Sequence, residues 1–310
     1  MAIAKAPYYE SRFLRANDPG APRALWLRQT MLLPTAGEPV ADVWVMVFDP
    51  SGHRAIRQQF PLTEAFFCDD WSVRIASATM EATAACGALA DARWDLAITA
   101  SDQEPVRVLS DRAYRARFPT AKTMVRDPMA HFDGRVDISG HVVDVDGWTG
   151  SVNHNWGSRH TPAYAYGQVC GFDNAPESTL EIVTARAAVG PLLLPGVTLF
   201  VFRHCGQQFA VRSIAGSLQT HGSYRPFTWT FGARVGEQMI EGEITTVPAD
   251  VIGLTYTDTD GGVKYCYNSA IASCRMQVAG KAFERAELTS RRVMFEILTD
   301  DRLDSVPLLA

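Results

Sequence analysis

Residues 23–33 read RALWLRQTMLL, and their side chains separate into two sets. Ala24, Trp26, Arg28, Thr30 and Leu32 share one face of an extended strand; Leu25, Leu27, Gln29, Met31 and Leu33 share the other. The first face mixes a Trp and an Arg with apolar neighbours, as a strand lining a cavity would. After the break TAGEP, the segment ADVWVMVFD sets Val43, Val45 and Val47 against Trp44, Met46 and Phe48. Both of its faces are apolar, which predicts a strand buried on both sides. Asp49-Pro50-Ser51-Gly52 is a turn, and HRAIRQQF is its antiparallel partner.

Residues 63–94 are Ala-rich, which by intrinsic propensity favours helix. Alternation of Val73 and Ile75 about Arg74, and of Met80, Ala82 and Ala84 about Glu81 and Thr83, decides for short strands. The period of two continues in RWDLAITA (93–100) and GRVDISGHVVDVDG (134–147). The stretch between them, with Pro105, Pro119 and Pro128, predicts a long loop holding a short helical turn. Further on, Tyr164, Tyr166, Gln168 and Cys170 share one strand face, against Ala165, Gly167 and Val169. Eight more strand-like segments follow, and Asp260-Gly261-Gly262 between two of them predicts a tight hairpin. Short strands at about ten-residue spacing, with few helix signals, predict an all-β chain of antiparallel barrels or sandwiches. The 310 residues suffice for two such domains, divided as 1–147 and 148–310.

Composition narrows the partners. With 47% hydrophobic and 20% charged residues the chain can bury a core, and a net charge of −5 argues against nucleic acid or an anionic membrane. The basic run Arg112, Arg115, Arg117 and Lys122 is short and reads as a solvated loop face. The opening MAIAKAPYYESR has no apolar signal region. The longest apolar run, Ala187 to Phe202, is broken by Gly190, Pro191, Pro195 and Gly196 and is too short to span a bilayer. Six dispersed cysteines without a C-x-x-C are expected to be reduced thiols, and the protein to be cytoplasmic, without stable membrane insertion.

Candidate chemistry concentrates in residues 147–171, GWTGSVNHNWGSRHTPAYAYGQVCG, near the middle of the chain. His154 can serve as a general acid or base because its ordinary pKa lies near working pH. Its H-x5-H spacing to His160 fits neither a helical nor a strand ligand pair, so no metal site is expected. Asn153 and Asn155 are expected to bond backbone in a bend before Gly157. Arg159 can hold an anionic or enolate oxygen, or clamp carbonyls at a bend. Asp144 and Asp146 share a strand face just ahead of the segment, with Asp146 the better acid–base candidate. Trp26, Arg28, Trp156, Tyr164, Tyr166 and Gln168 would supply an apolar wall with a few directional polar groups. There is no G-x-S-x-G, no G-x-G-x-x-G opening a helix and no Walker A, so a serine nucleophile and nucleotide cofactors are disfavoured.

The NHNWG element, followed by YAYGQVCGF, resembles the AttH-like/carotenoid hydratase lipocalin-like superfamily. Its relatives include hydroxyneurosporene synthase, tocopherol cyclase-like proteins and lipocalin-like Diels–Alderases. ESRFLRANDPGAPRALWLRQTML and VWVMVFDPSG resemble the N-terminal half of those proteins, so the likeness runs along most of the chain. The resemblance implies two lipocalin-like β-domains with an apolar pocket in or between them. It also implies cofactor-free chemistry on a polyene, terpenoid or polyketide-like molecule: water addition, cyclisation or isomerisation. Only Asn153, His154, Asn155, Trp156 and Gly157 carry over from the motif. The chain lacks membrane-associating features, which speaks against a carotenoid. The expectation is a lyase or isomerase/cyclase, with a non-catalytic carrier of a hydrophobic metabolite as the alternative. Within residues 147–171 the NHNWG half is expected to join the two domains, and residues 159–170 to form a pocket wall.

Overall fold

The computed structural model describes residues 5–189, 192–281, 283 and 285–310. Gly190 and Pro191, which break the apolar run noted above, lie outside them. The N-terminal half contains β1 (Tyr8–Asn17), β2 (Ala24–Leu33), β3 (Val40–Phe48), β4 (Arg54–Pro61), β5 (Ala65–Phe67) and β6 (Val73–Ile75). It continues with β7 (Ala78–Met80), β8 (Ala84–Leu89), β9 (Ala92–Thr99), α1 (Asp111–Arg115), β10 (Ala121–Ile138) and β11 (His141–Gly157). The eleven strands form one antiparallel sheet in the order β4-β3-β2-β1-β11-β10-β9-β8-β7-β6-β5. Its edges, β4 and β5, are consecutive in the chain, so the sheet curls into a nearly closed barrel.

The C-terminal half repeats the plan. It contains β12 (Ala163–Phe172), β13 (Ala175–Arg186), β14 (Ala188–Val189), β15 (Leu192–Leu193), β16 (Val197–His204) and β17 (Gln207–Val211). Next come β18 (Thr220–Arg225), β19 (Thr228–Val235), β20 (Gln238–Thr245), β21 (Ile252–Thr257), β22 (Val263–Ala279) and β23 (Ala286–Thr299). The sheet order is β17-β16-β13-β12-β23-β22-β20-β19-β18, with β21 paired to β22 off this path. Again the edge strands are chain neighbours. The all-β, two-barrel expectation holds.

Each barrel is filled by its own apolar core. Leu14, Val45, Leu96 and Phe132 pack inside the first, and Val169, Ile182, Trp229 and Phe295 inside the second. A third cluster joins them: Phe13, Trp26 and Met46 from the outside of the first barrel meet Tyr166, Ile252 and Leu254 from the second. This explains why β1, β2, β3 and β12 are buried on both faces. One face serves the barrel interior and the other the interface. The face bearing Trp26 and Arg28 therefore points out of its barrel, towards the second.

Three expectations change. The stretch read as a loop holds the expected helical turn, α1, but its last part, residues 121–133, belongs to β10, which starts at Ala121 and runs through Pro128 to Ile138. Pro128 is tolerated because register shifts on either side relieve the ladder of its missing N–H, and the Asp127 carboxylate collects the N–H of Ser101 and of Met129 there. GRVDISGHVVDVDG is a hairpin turning at Ser139-Gly140, rather than one strand. And residue 147 lies inside β11: the first sheet ends at Gly157 and the second opens at Ala163. NHNWG is thus regular strand paired with β1 and β10, not a bend.

Candidate functional site

A cavity of about 140 Å³ lies between the barrels. Alternation places its walls. On β1, Tyr9 and Phe13 face it, whereas Glu10, Arg12 and Leu14 face the first barrel's interior. Trp26 and Arg28 of β2, Tyr164 and Tyr166 of β12, Val183 of β13 and Met294 and Glu296 of β23 supply further wall. Tyr256 of β21 closes one side. Val108 and Leu109, on the connection between β9 and β10, lie over another. That connection is strapped to the second barrel by Arg203, which donates to the Glu104 and Pro105 carbonyls, and Arg212, which donates to Leu109.

The short crossing from β11 to β12, residues 158–162, is pinned to the turn between β21 and β22. Thr259 Oγ1 donates to the Ser158 carbonyl at 2.7 Å, and Lys264 Nζ to the Pro162 carbonyl at 3.0 Å. That brings His160 against Asp258, 98 residues away in sequence. The His160 backbone N–H donates to Asp258 Oδ1 at 3.1 Å, and His160 Nδ1 lies 3.0 Å from the same oxygen. The imidazole stacks on Tyr9, with ring centroids 4.0 Å apart. Burial works to raise the Asp258 carboxyl, but the hydrogen bonds and charge of His160 and the Thr259 N–H outweigh it and hold it near 2. A carboxylate at Nδ1 fixes the tautomer in which Nδ1 carries the proton. His160 lines the cavity, and Nε2 is the ring nitrogen that Asp258 leaves free.

On the facing wall Arg28 is more than nine-tenths buried, and its guanidinium Nε donates to Ser11 Oγ at 2.6 Å. Its Nη1 donates to the Tyr256 hydroxyl. Cys266 lies beside Tyr256 and Glu296, and burial pushes its thiol far above the usual range. Glu296 in turn accepts from the Tyr164 hydroxyl, and from Asn268 Nδ2 at 3.0 Å. Burial opposes the Arg28 charge, but the neighbouring Tyr256, Glu296 and Tyr164 outweigh it, so the guanidinium stays protonated. Arg28 and Glu296 thus lie on the same wall of the cavity, each hydrogen-bonded to a tyrosine hydroxyl, Tyr256 and Tyr164. Burial also holds the Tyr164 and Tyr256 phenols in their neutral form.

A second polar network seals the interface beneath the cavity. Gln168 accepts at Oε1 from Arg15 Nε (2.7 Å) and Ser151 Oγ (2.7 Å), and donates from Nε2 to Asn153 (2.9 Å) and Glu181 (3.0 Å). Its amide therefore couples a buried cation to a buried carboxyl. Burial raises the Glu181 carboxyl to about 8, against the hydrogen bonds of Tyr166 and Gln168 and the Arg15 charge.

Of the residues singled out in the sequence, Trp26, Arg28, His160, Tyr164 and Tyr166 meet at the cavity, and Gln168 lies beneath it. His154 and Trp156 point the other way, into the mouth of the first barrel. There His154 Nε2 is 3.0 Å from Glu10, which also accepts from Arg12, and Trp156 stacks on His154 at 4.4 Å. Arg159 is exposed, paired with Asp260 at 2.5 Å and 3.7 Å from Asp258. Asp146 is exposed on the far hairpin. Asn153 belongs to the interface network, and Asn155 reaches the cavity. Asp258, Tyr256 and Glu296 were not singled out. The signal for Glu296 is a lone carboxylate inside the apolar run VMFEIL, since Glu is seldom buried unpaired. Among the described residues no helix is long and apolar enough to cross a membrane, and no group of three His, Cys, Asp or Glu side chains could hold a metal ion.

No protein-family model matches the chain. Two proteins of Mycobacterium tuberculosis, described as uncharacterized, from strains H37Rv and CDC 1551, are each 25% identical to it over 266 residues, 86% of this chain and 79% of theirs. Among solved structures, a putative AttH from Nitrosomonas europaea superposes with a TM-score of 0.60 at 13% identity, covering 94% of this chain and 92% of that one. CghA with Sch210972 gives 0.66 at 9% identity, with 96% and 90% covered. Kievitone hydratase from Nectria haematococca gives 0.55 at 6% identity, with 94% and 88% covered. At such identities the likeness is one of fold: this chain has the AttH-like, lipocalin-like fold.

Proposed function

We propose that the protein is an enzyme of the lyase or isomerase/cyclase kind, acting on a hydrophobic small molecule held between its two barrels. The observation that carries this reading is the Asp258–His160 pair opening onto a cavity walled by Phe13, Trp26, Tyr164 and Met294. A carrier needs the apolar wall but has no use for an oriented base. His160 is the proton-transfer group, Asp258 its positioning residue, and Arg28 with Tyr256 the polar contact on the opposite side. Trp26, Tyr164 and Tyr166 shape the enclosed molecule, and holding one reactive conformer supplies part of the rate. That one structural neighbour is named as a hydratase, and another was solved with the compound Sch210972, agrees with such chemistry.

The test is incubation of the purified protein with a fractionated small-molecule extract, followed by mass spectrometry. A feature consumed and replaced by a product of equal mass, or of mass differing by one water, is expected. His160→Gln should abolish the conversion, while Asp146→Ala, on the far hairpin, should leave it within about threefold. Recovery of a bound compound unchanged after prolonged incubation would establish the carrier instead.

A further inference from the structure

We infer that the substrate carries a ketone or enone carbonyl, which Arg28 receives, and that His160 works on the carbon beside it. This rests on the reading of the interdomain cavity as a reaction chamber. Three features point to it. The guanidinium of Arg28 is buried, and Nε and Nη1 are occupied by Ser11 and Tyr256, but Nη2 has no protein partner among the described residues. Nη2 is thus the guanidinium nitrogen left free to donate to a group held in the cavity that Arg28 lines. Second, His160 Nε2 likewise has no protein partner among the described residues, while Nδ1 is held by Asp258. Third, both groups flank the same ring: Arg28 Cζ lies 4.6 Å from the centroid of Tyr256, and the His160 ring 6.2 Å from it. Both side chains also line the same cavity.

The charge balance selects a neutral carbonyl over a permanent anion. Arg28 already has the Tyr256 hydroxyl as partner and the Glu296 carboxylate nearby, so a bound carboxylate would bring a further negative charge into an apolar site. A ketone enters neutral and becomes negative only as the proton leaves. The C–H bond breaks, its proton passes to His160 Nε2, and the electron pair moves through the new C=C bond onto oxygen, where Nη2 donates to the enolate. Return of the proton to the same or a conjugated carbon gives isomerisation. Departure of a β-hydroxyl with a proton gives dehydration, and the reverse gives hydration. Arg28 thus stabilises charge that exists only along the reaction path.

The probe is 2-indanone, a rigid ketone matched to a small apolar cavity, with indane as the hydrocarbon control. Binding is read from quenching of tryptophan fluorescence, and chemistry from exchange of the α-hydrogens with D2O by proton NMR. We expect both compounds to bind, Val183→Trp to block both, and 2-indanone alone to exchange about 10²-fold faster than in buffer. His160→Gln should remove the acceleration with binding kept. Arg28→Met should lower it by about 10²-fold. The wild-type comparison alone decides should a variant misfold. Binding that Val183→Trp blocks, without accelerated exchange, overturns the carbonyl inference and leaves the chamber standing. Exchange surviving in His160→Gln overturns it too. Failure of both compounds to bind overturns the inference and the chamber together.

Discussion

The residues that organise this molecule are polar groups placed where the pattern calls for apolar ones. Glu181 is the clearest. Its carboxyl is buried at the interface with Tyr166 and Gln168 both donating to it, and burial still lifts it from the usual 4.5 to about 8. The sign follows directly. Below pH 4.5 the group is protonated both folded and unfolded. Between 4.5 and 8 the unfolded chain has lost the proton that the folded chain keeps, so the stability this group contributes drains away as pH rises through that window. Replacing Glu181 with Gln removes the titration. Urea midpoints followed by circular dichroism should therefore show wild type losing stability relative to Glu181→Gln, on the order of a few kcal/mol between pH 4.5 and 8. A difference that stays constant with pH would mean the carboxyl is ionised throughout. Glu10 behaves in the opposite sense: burial opposes its charge, but His154 and Arg12 hold it down at about 2, so its contribution is present above pH 4.5 and lost as pH falls towards 2.

At the scale of elements, β1 and β11 matter most, because their pairing joins the β1–β4 and β5–β11 parts of the first sheet and presents a wall of the site. Gly150 of β11 lies opposite Ala16, and a Cβ there would sit 1.8 Å from the Arg15 carbonyl oxygen. The clash is with backbone and cannot be relieved by a rotamer. Gly150→Ala should cost about 3 kcal/mol or more, and hydrogen exchange should show the loss concentrated in β1. An alanine tolerated within 1 kcal/mol or so would show that the strands can part without consequence. The strands themselves were legible where alternation is clean, as in RALWLRQTMLL and YAYGQVC. Pro128 concealed β10, since the bulge that accommodates it depends on Asp127 reaching Ser101, a contact no local pattern encodes. NHNWG attracted attention for its composition. The strand period divides it, turning His154 and Trp156 into the barrel mouth and Asn153 and Asn155 towards the second barrel. His160 could be proposed from sequence as a base, but Asp258 could not be assigned to it. Their meeting is made by β21 pairing only with β22, which sets the turn at 258–262 beside the crossing between the barrels.

At the scale of the whole molecule, the site exists only while two barrels stay docked. Two different forces hold them. One is the apolar cluster built on Phe13, Trp26, Met46, Ile252 and Leu254. The other is the network in which Arg15, fully buried, donates to the side chain and carbonyl of Gln168, to Cys170 and to the carbonyl of Arg292. Burial of surface is indifferent to register, whereas a guanidinium with fixed partners on two strands of the second barrel permits one arrangement. Arg15→Met separates the two contributions. It keeps the volume and removes the donors, leaving the side chain and carbonyl of Gln168 without the guanidinium, at a cost of about 1–3 kcal/mol. Scanning calorimetry of wild type should give one transition whose van't Hoff and calorimetric enthalpies agree. If the network couples the barrels, Arg15→Met will melt in two steps, and tryptophan quenching by 2-indanone will weaken before either barrel unfolds. If instead the variant melts lower but in one step, with the probe still bound until then, the apolar cluster alone sets the docking and Arg15 contributes stability without specifying the arrangement.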